Sequence, residues 1–147
     1  MKKFLGLVLL VFFLAGCVTT LSSLQRRSIE ARDLQGKFDD TFKATLQVFQ
    51  DYGYIIKNSD YQSGIIQGET GIKRNLLGTM TNFEITATIE QFGNNIVKER
   101  ITLVKKIKSN SKYGVYEDSK IVNDPELFQK LYDDIQKEIF IRKNLNK

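Results

Sequence analysis

Histidine is absent from this 147-residue chain, and without it no Ser-His-Asp triad can be assembled. Cysteine occurs once, at Cys17, so an internal disulfide and a Cys/His zinc site are excluded together. Hydrophobic runs are short. The longest, Phe4 to Val18, has about 15 residues, against the roughly 17–25 that a helix needs to cross the hydrocarbon layer. Charge of one sign is not in large excess: the formal net charge is +5, and Lys2 and Lys3 supply part of it. A mild excess of this kind suits anionic head groups, at about 1 kcal/mol per well-placed cation. It gives no case for nucleic acid. The glycines between Gly64 and Gly71 have neither the spacing nor the GK[ST] ending of a phosphate loop. Carboxylates, lysines and tyrosines are the chemistry that remains.

Paired carboxylates can serve as acid and base in glycoside hydrolysis. The pairs here, Asp39-Asp40, Glu117-Asp118 and Asp133-Asp134, are adjacent in sequence, and neighbours on a helix point apart. The expectation is a chain with no catalytic residue, no metal and no cofactor.

The first residues are the most informative. Met1-Lys2-Lys3, the apolar stretch Phe4 to Leu14 and the small residues Ala15 and Gly16 have the layout of a secretory signal peptide. Leu14-Ala15-Gly16-Cys17 resembles the lipobox of bacterial lipoproteins. That resemblance implies cleavage between Gly16 and Cys17, then acylation of the cysteine thiol (palmitate among the acyl groups) and of the new amine. Two or more acyl chains hold a protein stably where one does not. Val18 resembles a residue that permits sorting to the outer membrane. The organisation expected is therefore a lipoprotein signal peptide over 1–16, a lipidated cysteine and tether over 17–26, and one domain over 27–147. The location expected is the cell envelope, lipid-anchored, on the periplasmic face of the outer membrane.

Along the domain, alternation from Arg27 through Ile29, Ala31 and Leu34 predicts a first strand. Asp39 or Asp40 is placed to cap a helix carrying Phe42, Leu46 and Phe49 on one stripe, ending at Gly53. Tyr54–Lys57 and Gly64–Gly68 read as a hairpin around Asn58 to Ser63. The segment from Gly71 to Gly78 reads as a loop. Asn82 to Glu90 alternates strictly, with Phe83, Ile85, Ala87 and Ile89 on one face. After the turn Gly93-Asn94-Asn95, Ile96 to Lys108 returns as a long strand, with Val97, Ile101, Leu103 and Ile107 on its odd face. Val115-Tyr116-Glu117 extends the sheet, and Asp124-Pro125-Glu126 opens the last helix. The order β-α-β-β-β-β-α predicts a two-layer α+β domain with an antiparallel sheet of 4–6 strands and two helices on one face.

The segment Phe38 to Ala44, then Asp51 to Ile56, Asp60 and Gly64 to Ile66, resembles the helix-grip domain of a lipoprotein component of the outer-membrane β-barrel assembly machinery. Small, mostly uncharacterised proteobacterial outer-membrane lipoproteins are similar as well, including their closing run Asp124-Pro125-Glu126-Leu127-Phe128. The resemblance implies a helix-grip-like fold.

Two surfaces are candidates for contact with a membrane or a partner. One is the basic even face of the long strand, Lys98, Arg100, Lys106 and Lys108. The other is the loop carrying Lys73, Arg74, Leu76 and Leu77. Lysines on a strand also keep sheet edges from pairing with other chains, and the leucines can equally fold onto the core. The function these features imply is a membrane-anchored, non-catalytic protein-binding or scaffold module, its partners being the membrane through Cys17 and another envelope protein. The alternative is a hydrophobic-ligand or lipid binder, which requires a void lined by Phe42, Phe49, Phe83, Leu131 and Ile135.

Overall fold

The structure, a computed structural model, describes residues 22–112 and 114–145. The expected signal peptide over 1–16, Cys17 and the first part of the expected tether lie outside the described residues.

The described residues open on a helix. Helix α1, Ser23–Glu30, opens on a reciprocal cap: Ser22 Oγ accepts from Gln25 N, and Gln25 Oε1 accepts from Ser22 N at 2.9 Å. That box sits in the small polar stretch expected to be tether, and it moves the first strand C-terminally. Strand β1 is Ala31–Gln35. It is followed by α2 (Phe38–Asp51), β2 (Ile55–Asp60), β3 (Ile65–Glu69) and β4 (Lys73–Arg74). Then come β5 (Met80–Gln91), β6 (Ile96–Ser111), β7 (Gly114–Ile121) and α3 (Pro125–Leu145). Among the described residues there are three helices and seven strands, where two helices and 4–6 strands were expected. The class, α+β with an open antiparallel sheet, stands. The added strands are short or peripheral: β4 is two residues within the expected loop, and β7 runs well past its expected three.

The sheet order is β1-β6-β5-β3-β2, with β4 against β5 and β7 against β6. All pairs are antiparallel. Ile85 faces Leu103, Ala87 faces Ile101 and Ile89 faces Glu99 across β5 and β6. These odd positions share the face covered by α2 and α3, where Phe42, Val48, Phe49, Phe128, Leu131, Ile135 and Ile139 complete the core.

Two local features fix the helix layer. Helix α2 has Lys37 at its N-cap and no side-chain cap, so neither Asp39 nor Asp40 caps it. Instead Gln91 Oε1, from the end of β5, accepts the orphan Phe38 N–H at 3.0 Å, and Asp39 pairs with Lys43 at 2.8 Å. Helix α3 is capped as expected, with Asp124 Oδ1 accepting from Glu126 N and Leu127 N.

Gly64, in the β2–β3 turn, lies at φ +68, and a Cβ there would stand 2.1 Å from the Ile89 carbonyl oxygen. Its own carbonyl accepts from Ile89 N at 2.9 Å. Gly64→Ala is expected to cost about 2 kcal/mol, from left-handed strain plus separation of β3 from β5. Urea unfolding at neutral pH measures it, and an unchanged midpoint would show that this approach is not tight.

Helix cover ends part-way along the sheet. No residue of 80–84 or 104–110, of β4 or of β7 belongs to the buried core. The half of the β5–β6 pair beyond Ile85 and Leu103, flanked by β4 and β7, is therefore an extension with accessible faces.

Candidate functional site

The most unusual side chain is one the sequence pattern did not single out. Glu99 occupies the inward register of β6 between Val97 and Ile101, and it is 0% exposed. Its Oε1 lies 2.8 Å from Thr45 Oγ1, while Oε2 has no hydrogen-bond partner. Thr45 Oγ1 is also 2.9 Å from the Thr41 carbonyl. One hydroxyl hydrogen cannot serve two acceptors. If Thr45 donates back to its own helix, as threonines in helices do, Glu99 must carry the proton that joins it to Thr45. Electrostatics agrees. Burial is the larger effect and raises the Glu99 pKa from 4.5 to about 8, whereas a bond donated by Thr45 would lower it. Glu99 is thus a neutral acid at moderate pH, with one oxygen unpartnered in a dry core.

Next to it stands Tyr132, buried on α3. Its hydroxyl donates to the Glu30 carbonyl and accepts from Ile101 N at 3.1 Å. This fills a gap in the sheet. Along one edge of β6, β1 pairs residues 96–100 and β7 pairs residues 104–111. Between them the Tyr132 hydroxyl and the backbone bond from Val122 N to Leu103 O replace the missing strand. Burial, and then the nearby Glu99, push the Tyr132 pKa upward.

The outer face carries the cations named from sequence, and most have a counter-charge. Lys106 pairs with Glu84, Lys108 with Glu117 at 2.6 Å, and Arg100 Nε lies 3.9 Å from Glu30 Oε2. Lys98 sits 5.3 Å over the Phe92 ring and opposite Glu90. The four do not make one basic surface. Lys98 and Arg100 join Arg27, Ala31, Thr88 and Glu90 around a groove of about 400 Å³. Lys106 and Lys108 belong to a second groove of about 250 Å³ on the uncovered half-sheet, with Ile72, Met80, Asn82 and Glu117. Lys73 and Arg74 form β4, and Leu76 and Leu77 project from the turn after it rather than folding onto the core.

Neighbouring carboxylates turn to different partners. Asp133 accepts from Gln129 and Asp134 from Tyr52, while Glu117 pairs with Lys108 and Asp118 with Lys120. Among the described residues no three acidic or cysteine side chains gather to hold a metal ion, and no helix is long and apolar enough to cross a membrane.

The residues expected to line a ligand void are packed into the helix–sheet layer. Phe42, Phe49, Leu131 and Ile135 are buried, Phe83 is half-buried, and the gap bounded by Leu131, Phe128, Ile85 and Leu103 has about 10 Å³. That is scarcely room for one water. No protein-family model and no curated protein sequence matches the chain.

Proposed function

We propose that the chain is a lipid-anchored, non-catalytic envelope lipoprotein whose domain binds another envelope protein. The anchor rests on the sequence Leu14-Ala15-Gly16-Cys17, and the placing at the periplasmic face of the outer membrane rests on Val18. The observation that carries the binding role is the helix-free half-sheet. It presents a groove between Ile72, Met80 and Lys108, and it leaves Ile121 of β7 exposed. A sheet face with an open edge and apolar side chains is a surface that a second protein can cover. A helix-grip-like arrangement belongs to the same proposal, supported by α2 ahead of the meander and the long α3 after it.

Crosslinking in intact cells with a C-terminally tagged chain tests the reading, beside a Cys17→Ala control. A specific envelope protein recovered with the native chain and lost with the control is the expected result. Recovery of lipid alone, from a chain that is present and anchored, would overturn the binding role.

A further inference from the structure

The far end of the uncovered half-sheet holds two turns side by side. A row of paired residues, Arg74, Met80, Lys108 and Glu117, crosses the sheet through β4, β5, β6 and β7. Beyond that row lie the β4–β5 turn, residues 75–79, and the end of the β6–β7 hairpin with Val115 and Tyr116. Leu76 is fully exposed and Leu77 is 86% exposed on the first turn. Val115 and Tyr116, among the first paired positions of β7 beside the second, are exposed too. Exposed apolar side chains at both turns of one end are not explained by the core.

The first turn is built, not merely loose. Asn75 Oδ1 accepts from Leu77 N at 3.1 Å and from Thr79 N at 2.9 Å. Asn75 N donates to the Thr79 carbonyl, and Gly78 N to the Asn75 carbonyl, with Gly78 at φ +79. Four N–H groups that would resist entry into an apolar medium, those of Asn75, Leu77, Gly78 and Thr79, are thus bonded within the turn itself.

Charge is arranged to match. Lys73, Arg74 and Lys112 flank the apolar tips, and none has a carboxylate partner among the described residues. The nearby acids are already taken: Glu84 by Lys106, Glu117 by Lys108 and Asp118 by Lys120. Leucines on a turn tip, a hydrogen-bonded turn behind them and unneutralised cations around them suit a head-group boundary. A protein partner instead anchors its apolar contacts in packed central pockets.

We propose that these two tips rest on, and insert their apolar side chains into, the surface of an anionic phospholipid bilayer. The proposal rests on the tethered-lipoprotein reading and adds an orientation to it. The sheet stands on its end against the membrane, with the groove beside Lys108 facing sideways.

The test uses the lipidated full chain in vesicles. The acyl chain occupies Cys17, so Leu77→Cys supplies one free thiol for an environment-sensitive fluorophore; Gln50→Cys on α2 is the control. With phosphatidylglycerol-containing vesicles the label at position 77 is expected to shift to the blue and brighten, less so with phosphatidylcholine alone. The control label keeps its solvent spectrum. Lys73→Glu with Arg74→Glu is expected to lower the inserted fraction about tenfold or more. Protein that floats with the vesicles while its position-77 label stays in water would overturn the tip contact and leave the tether standing. Protein that does not float would overturn the tether, and the tip proposal with it.

Discussion

The stability of the domain is expected to fall as pH rises from 5 to 8, against the usual trend for a carboxylate. The cause is Glu99, whose pKa is raised from 4.5 to about 8 by burial. Between those values the folded state holds a proton that the unfolded chain has released, so each pH unit upward lowers the unfolding free energy by about 1.4 kcal/mol. The whole span amounts to about 5 kcal/mol, on the order of a small domain's total stability. Above pH 8 this contribution levels off. Asp60 and Glu117 work in the opposite direction, since hydrogen bonds from Ser63 and Lys108 lower their pKa values. Their contribution is lost on acidification below the ordinary carboxylate range, which places the stability maximum on the acid side of neutrality.

Glu99→Gln isolates the effect. The amide matches the protonated acid in shape and can donate to Thr45. It is expected to flatten the profile between pH 5 and 8, change stability little at pH 5, and add roughly 2–4 kcal/mol at pH 8. Chemical denaturation across that range measures both curves. A flat wild-type profile, or a glutamine variant less stable at pH 8, would show that the carboxyl is not held neutral.

Tyr132→Phe is expected to destabilise the domain by roughly 3 kcal/mol. The ring stays packed, so no cavity opens. What disappears is the hydroxyl that serves the Glu30 carbonyl and the Ile101 N–H. Both groups lie under α3, and each buried backbone group left unpaired costs about 1–3 kcal/mol. Hydrogen exchange at Ile101 adds a local readout. Its amide should lose protection more than those of Leu103 or Ile85. A loss below about 0.5 kcal/mol with Ile101 still protected would mean that water replaces the hydroxyl readily.

What the sequence made legible follows the range of the interactions involved. The β5–β6 pair was readable because its alternation is local and long, and the α3 start because Asp124 and Pro125 act within one turn. Gly53, at φ +83, ends α2 for an equally local reason. The missed features depend on partners elsewhere. Lys37 heads α2 without a cap of its own because Gln91, far along the chain, serves Phe38. The Ser22–Gln25 box was a local signal, but it stood among small polar residues that also suit a linker. Glu99 was visible as a charge on the inward side of β6. Its protonation state follows from burial beneath the helix layer and from Thr45, which reaches it from α2.

The succession of β1 and β7 along one edge of β6 bears on the order of assembly. The β2–β3, β4–β5, β5–β6 and β6–β7 pairs all join strands that follow one another in the chain. The pair β3–β5 skips only the two-residue β4, with Ile65 opposite Thr88, whereas β1 finds its partner much farther away, with Ala31 opposite Arg100. Closing a longer loop costs more entropy before any contact is gained. The meander from β2 to β7 therefore has the means to zip first, and β1 docks onto a template already formed. In refolding, protection of the Leu34 amide should lag behind that of Ile85.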